Sequence, residues 1–467
     1  MDIHYLGLLD LSRRIRQRLV RAEEVTEALL QRIGRYEPRL HSIALLLADS
    51  AREQARRADA DIAAGLYRGP LHGVPIGVKD LLWTEGLPTK AGMELLLKDF
   101  VPSRDATVVQ RLKRAGAVVI AKLQMTEGAL VHHHPSIARP VNPWSAAHWT
   151  GISSSGSGVA TAAGFCFGAI GTDTGGSIRM PSSANSLTGI KPTWGRVSRH
   201  GLLPVSESLD HVGPMARSAA DAAAILRVIA GADPLDPTAL ADAVPDYLAA
   251  TDAGVQHLVL GIDWKFATGG LSREITGSLE QALAAFEDLG VRIQEVSLPW
   301  SDEDFRASIP IFESELALAH AEHFPAKADA YGPWARATLQ HAVSNMDRPA
   351  LARAHLTRDR YKGRLQKLFQ TVDFLLTPGL GQVLPTWEQI GSRGYEEGPF
   401  DPDLIRFTFP FNIAGIPTLS LPGGFTPDGL PIGLQLIGPW LAEPTLLRAA
   451  AAFQQVTDFH TRHPALA

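Results

Sequence analysis

Two turns rich in glycine and serine constrain this chain more than any other feature. They are Gly151-Ile152-Ser153-Ser154-Ser155-Gly156-Ser157-Gly158 and, about two dozen residues later, Gly171-Thr172-Asp173-Thr174-Gly175-Gly176-Ser177. Between them, Gly158–Phe167 predicts a helix of small residues and Ala169-Ile170-Gly171 a short strand. A helix and a strand give enough chain to double back, so both turns can meet at one edge of a sheet. The glycines supply backbone conformations that a side chain would forbid.

The flanking sequence supplies such a sheet. Leu11, Ile15 and Leu19, then Val25, Leu29 and Ile33, recur at helical spacing. Ser50 to Gly65 predicts another helix, with Ser50 as cap and Gly65 as stop. Val74-Pro75-Ile76-Gly77-Val78 predicts a buried strand that carries Lys79-Asp80 at its carboxyl end. Ala106 to Ala115 is amphipathic, Gly116 ends it, and Val118-Val119-Ile120-Ala121 follows as a strand. His132 to Ser157 reads as an extended loop. A second series contains a helix around Leu279–Leu289 and strands at Val291–Val296, Phe374–Pro378, Pro417–Pro422 and Pro431–Gly438. Helix alternating with strand, without a repeat or dividing linker, predicts one large α/β domain.

Composition narrows the function classes. With 467 residues, 45% hydrophobic and 20% charged, the chain can fill a large core. A net charge of -5 without a basic stripe gives no sign of nucleic-acid or membrane-surface binding. No apolar run approaches the ~20 residues needed to span a bilayer, and Met1 to Asp10 lacks a basic leader region. The single cysteine, Cys166, excludes an intramolecular disulfide and lies in an apolar stretch, so a buried inert thiol in a cytoplasmic protein is expected.

Ser177 and Ser153 carry the candidate chemistry. A serine hydroxyl is a weak nucleophile until a base takes its proton. The glycines before Ser177 allow successive N–H groups to converge on one point, as an oxyanion hole requires. Each turn alone is equally a flexible or phosphate-cradling loop, although neither has the spacing of the nucleotide-binding glycine motifs. Lys79 has two readings. As a solvated strand end it does nothing; in a poorly solvated site its neutral amine can act as base, with Asp80 pulling the other way. No G-x-S-x-G or S-x-x-K motif occurs, and no H-E-x-x-H or thiolate cluster suggests a metal. His132-His133-His134 reads as a loop lining or solvent-facing cluster, and His320-Ala321-Glu322-His323 as a helix surface.

Leu71-His72-Gly73-Val74-Pro75-Ile76-Gly77-Val78-Lys79-Asp80 and the two turns resemble the amidase-signature hydrolases. So do Gly189–Ser198, Ser208–Arg217 and Gly429–Gly438; the similarity is dense over 69–226, returns over 374–447 and is thin between. The resemblance implies a single large α/β domain over 1–467, a mixed twisted sheet covered by helices. Within it, 1–68 is a helical N-terminal part, 69–226 the core, 227–372 a variable substrate-side region and 373–467 the rest of the sheet. It also implies a catalytic triad of Lys79, Ser153 and Ser177, with Ser153 following a cis peptide. Thr174, Gly175, Gly176 and Ser177 would be the oxyanion donors, and Asp173 and Arg179 scaffolding charges.

Two departures touch the substrate wall. Ile152 stands where the family often has glycine, and Glu127-Gly128-Ala129 where it often has Glu-Phe-Ala. Met125, Thr126, Gly128 and Ile152 are therefore the expected substrate-binding residues. Phe305, Ile309, Ile311, Phe312 and Trp334 favour a hydrophobic substrate, and core packing explains them equally well. The expected activity is hydrolysis of a C–N acyl bond in a small-molecule amide, anilide or carbamate, without metal or cofactor. The alternatives are the glutaminase subunit of a tRNA-dependent amidotransferase and a non-catalytic binding module.

Overall fold

Strands β1 (Ile43–Leu46), β2 (Pro75–Lys79), β3 (Val118–Leu123), β4 (Gly168–Asp173), β5 (Thr188–Lys191) and β6 (His211–Ala216) come from the first half of the chain. Strands β7 (Val259–Ile262), β8 (Arg292–Glu295), β9 (Phe374–Pro378), β10 (Thr418–Phe425) and β11 (Pro431–Ile437) come from the second. In this computed structural model, which describes residues 3–391 and 402–466, they form one 11-stranded sheet in the order β1-β3-β2-β4-β6-β5-β10-β11-β9-β7-β8. The halves join where β5 pairs antiparallel with β10, Lys191 opposite Thr418 and Ile190 opposite Leu419. The sheet is mixed: β2 runs parallel to β3 and β4, and β7 to β8 and β9. One mixed sheet covered by helices is the single α/β domain that the sequence implies.

Residues alternate across the sheet between two apolar cores. Along β9, Phe374 and Leu376 join one core while Leu375 joins the other; Leu436 and Ile437 of β11 divide in the same way. Strands β2, β3, β4 and β6 are buried at every residue, which is why β2 and β3 read as continuous apolar runs rather than alternating ones. The first core takes in helices Ala22–Leu40, Ala219–Ile229 and Glu443–Val456 through Leu29, Ile225 and Phe453. The second holds Ile311, Phe312, Tyr361 and Phe409, together with Met125 and Ile152. Ile311 and Phe312 are thus core residues. Among the described residues no helix is long and apolar enough to cross a membrane.

Several local expectations shift. Ser50 does not cap its helix: Ala48–Ala63 begins two residues earlier, with Leu47 at the cap position, and Ser50 instead accepts a hydrogen bond from Gln54. The N-terminal helix stops at Arg16, leaving Leu19 exposed. The helix between the serine turns is Ser155–Ala162 rather than Gly158–Phe167, because Gly164, at φ +69°, turns the chain back before β4. That helix starts within the first serine turn, at a point where only a small residue fits. A Cβ on Gly156 would lie 2.4 Å from the Ser42 carbonyl oxygen and 2.5 Å from that of Gln124.

This crowding is testable. Gly156→Ala should destabilise the protein by roughly 1–3 kcal/mol, the usual cost of overpacking. Gly277→Ala is the control: it lies in the helix Arg273–Asp288 with nothing within 4 Å of its virtual Cβ. It should stabilise by roughly 0.5–1 kcal/mol through helix propensity. Urea unfolding of the two variants should give opposite signs.

Candidate active site

Parallel pairing of β2 with β4 sets Val78 beside Ile170, so Lys79 and Thr172 leave the sheet at the same carboxyl edge. Such edges are where open α/β sheets place their ligands. Lys79 Nζ lies 2.7 Å from Ser153 Oγ and 2.8 Å from Thr172 Oγ1. Ser153 follows a cis Ile152–Ser153 peptide, as the resemblance implies. The two serine turns are clipped together: the Ser154 N–H donates to the Ser177 carbonyl at 3.3 Å, and Ser154 Oγ accepts from the Thr172 N–H at 3.2 Å. Lys79 and Ser153 are completely buried, whereas Ser177 retains 8% exposure, so the proposed nucleophile is the member nearest solvent.

The surroundings of Lys79 are those of a poorly solvated amine. Asp80 turns away and pairs with Lys122 at 2.8 Å, itself buried. Among the described residues Lys79 contacts hydroxyls and no carboxylate. Burial lowers its pKa to about 7, against the opposing pull of Asp173 and Asp210. Near neutral pH a substantial fraction of the amine is therefore uncharged.

Asp173 organises the turn that carries Ser177. Its Oδ1 accepts from the Gly176 N–H at 2.8 Å and its Oδ2 from the Ile178 N–H at 3.1 Å. Arg179 grips both oxygens, Nη2 to Oδ1 at 2.9 Å and Nε to Oδ2 at 3.0 Å. Burial alone would raise the Asp173 carboxyl, but the Arg179 guanidinium and its hydrogen bonds hold it below the usual carboxylate range. The scaffolding role expected for this pair is what the geometry displays. It also corrects one expected oxyanion donor: the Gly176 N–H is committed to Asp173. Among the described residues, the N–H groups of Thr174, Gly175 and Ser177 make no hydrogen bond within the protein.

A family model for amidases matches residues 24–447. The chain belongs to the amidase family. AmiD of Mycobacterium tuberculosis, whose name proposes an amidase, is 47% identical over 466 residues, covering 99% of this chain and 96% of AmiD. A glutamyl-tRNA(Gln) amidotransferase subunit of Moorella thermoacetica is 37% identical, covering 100% of this chain and 99% of that one. Among solved structures, 6-aminohexanoate cyclic dimer hydrolase complexed with substrate superposes with a TM-score of 0.90 at 25% identity, covering 100% of each chain. The chain is accordingly an amidase, a hydrolase of C–N bonds.

This amidase draws site residues from places that the sequence motifs did not single out. Thr172 is the second partner of Lys79. Asp210 accepts the Thr174 hydroxyl at 2.5 Å and the Val205 N–H at 2.9 Å, and burial pushes its pKa up to about 6 against those bonds. Both lie inside quoted motifs, so residue type within the motif was the available signal. Asn412 and Gln435 hold Asp173 and Arg179 from the other half of the chain; Gln435 lies inside the quoted Gly429–Gly438 stretch, whereas Asn412 lies outside every quoted motif. Of the expected wall residues, Met125 and Thr126 are fully buried, and the Thr126 N–H donates to the Ser153 carbonyl at 3.3 Å. Gly128 has φ +55°, and its virtual Cβ lies 3.6 Å from the His320 ring.

The histidines also resolve. His320 is not on a helix surface: it is 5% exposed, just past the helix Asp302–Ala319, with Nδ1 2.9 Å from the Tyr331 hydroxyl. His132, His133 and His134 line a cavity, and no group of acidic, histidine or cysteine side chains among the described residues is placed to hold a metal.

Replacing Arg179 by Met should cost about 3–5 kcal/mol of stability, because it leaves the buried Asp173 carboxylate without its cation. Equilibrium urea denaturation measures this directly. A loss below ~1 kcal/mol would show that the pair does not organise the turn.

Proposed function

We propose that this amidase hydrolyses a linear amide, anilide or carbamate through an acyl-enzyme on Ser177, with Lys79 as base acting through Ser153. The observation that carries the reading is the buried Lys79 amine held 2.7 Å from the Ser153 hydroxyl, with burial lowering its pKa to about 7. Neutral Lys79 takes the Ser153 proton as Ser153 takes that of Ser177, and Ser177 Oγ bonds to the acyl carbon. The oxyanion is received by the N–H groups of Thr174, Gly175 and Ser177, while Gly176 fixes the turn through Asp173. The proton then passes to the leaving nitrogen as the C–N bond breaks. Water repeats the relay, giving the free acid and restoring Ser177.

Met125, Thr126, Gly128 and Ile152 form the substrate wall in this reading. Support comes from the direct bond between Thr126 and Ser153 and from the shared core of Met125 and Ile152. The absence of a side chain at Gly128 leaves room beside the His320 ring. The name of the 6-aminohexanoate cyclic dimer hydrolase places an amide among the substrates of a close structural relative. A second reading, the glutaminase subunit of an amidotransferase, is favoured by the full-length similarity to the Moorella amidotransferase subunit.

A panel of primary amides, anilides, carbamates, esters and glutamine separates the two. Turnover of a neutral anilide or carbamate by the purified chain, lost in Ser177→Ala, is the expected result; activity confined to glutamine would favour the amidotransferase. Lys79→Ala should lower kcat/KM by roughly 10²–10⁴-fold.

The pH profile has a definite sign. The base works only when uncharged, so kcat/KM should rise with pH and level off above about 7. Below that it should fall about tenfold per pH unit. Asp210 favours the charged amine, so Asp210→Asn should move this acid limb to lower pH. A limb unmoved by both Lys79→Ala and Asp210→Asn would assign the titration to another group.

A further inference from the structure

The loop that carries His132-His133-His134 builds a cavity of about 340 Å³ with an unusual lining. Two indoles, Trp334 and Trp387, face it with the imidazoles; among the described residues that line it, Arg139 is the one permanently charged side chain and none is acidic. The rings are arranged rather than scattered. His132 stacks on Trp334 with centroids 4.2 Å apart and planes within 25°, and the Arg139 guanidinium sits 4.5 Å over the Trp387 ring. His133 meets Trp387 edge-on and sets its Nε2 3.0 Å from Ser155 Oγ, at the start of the helix that follows Ser153. The His132 carbonyl accepts from the Glu127 N–H at 2.9 Å. One wall of the cavity is therefore bonded to the segments that hold the catalytic serine turn and the proposed substrate wall.

We propose that this cavity is a binding site for a planar aromatic carboxylate. Flat ring faces at contact distances suit a flat ligand, since offset and edge-on ring pairs are favourable beyond area burial alone. A single guanidinium, with no carboxylate among the described lining residues, matches one negative charge, and its planar fork of donors fits a carboxylate in particular. Two of the imidazoles do not compete for that charge: burial lowers His132 to about 4 and His133 to about 3, so both stay neutral at physiological pH. Neutral imidazoles offer ring faces and at most one N–H donor each. Aromatic surface and a cation therefore come together in one solvent-open cleft beside the serine turn. This inference concerns binding and goes beyond the reaction proposed above.

Isothermal titration of benzoate and of benzyl alcohol, its uncharged counterpart, into the full-length protein tests the site. Wild type should bind benzoate saturably and more tightly than benzyl alcohol. Arg139→Ala should weaken benzoate about tenfold, the scale of one charge-assisted hydrogen bond, and leave benzyl alcohol within about twofold. Trp387→Leu should weaken both. Arg139 is exposed, so Arg139→Ala is expected to keep its melting temperature; a variant that melts early is replaced by Arg139→Gln, with the same expected loss. Absence of benzoate binding to wild type, equal affinity for both probes, or benzoate affinity unchanged in Arg139→Ala would each overturn the proposal.

Discussion

A primary amine removed from water without a carboxylate against it is the condition on which the rest of this structure depends. Desolvation favours the neutral amine, and a single contacting anion would restore the charge. Three carboxylates lie close enough in sequence or space to do so, and each is committed elsewhere. Asp80 is bound by Lys122, Asp173 by Arg179, and Asp210 by the Thr174 hydroxyl and the Val205 and Ser206 amides. Lys79 is left with the hydroxyls of Ser153 and Thr172. Two buried ion pairs thus act at a distance, by keeping their anions away from the amine. Buried pairs are weak sources of net stability, which makes this positioning role a better account of them than stability alone.

The same condition explains why small residues crowd the site. Lys79, the Ser153 turn and the Ser177 turn come from three separate segments that must approach at backbone distance. Side chains at the contact points would separate them. A Cβ on Gly171 would lie 3.0 Å from Ser154 Oγ, and one on Gly151 would lie 2.3 Å from the Pro181 backbone. The run of serines does a second task in that crowded space. Ser154 Oγ exchanges hydrogen bonds with both backbone groups of Thr172, and Ser157 Oγ donates to the Ile170 carbonyl, pinning the turn and its helix to β4. Ser154 and Ser157 are therefore structural in a motif whose Ser153 is proposed to be chemical.

How much of this was legible depends on the range of the interaction. The two serine candidates sit in turns whose glycines and serines are local signals, Lys79 ends the apolar run of β2, and β3 and β4 are apolar runs that no other burial would explain. The helix between the turns was misplaced because Ser155, Gly156 and Gly158 have poor helix propensity, yet tertiary packing against Ser42, Gln124 and Asn185 selects that conformation. Ser50 was misread for the reverse reason: a good capping residue lies inside the first turn while Leu47 takes the cap position. The fate of the Gly176 N–H was hidden because a turn's donors can point at a ligand or at a neighbouring carboxylate, and only coordinates distinguish them. Asn412 and Gln435 meet Arg179 across about half the chain, where no periodicity reaches.

The substrate side follows from how the wall is tied to the machinery. The turn at 125–129 donates to the Ser153 carbonyl through Thr126, and its Glu127 carboxylate accepts the Gly332 N–H at 2.9 Å, at the start of the helix Pro333–Ser344. Burial pushes the Glu127 carboxyl up to about 7 against this bond, which takes up one of the unpaired N–H groups at the helix start and so anchors a segment from the poorly matching middle of the chain to the Ser153 turn. Tyr331, one residue earlier, meets His320, whose ring lies against Gly128. The variable region is therefore bonded, residue by residue, to the backbone that positions the bridging serine. A change in the middle of the chain that moves Gly332 or Tyr331 will move the 125–129 turn and the Ser153 turn together, which in the proposed mechanism couples the choice of acyl group to the geometry of proton transfer.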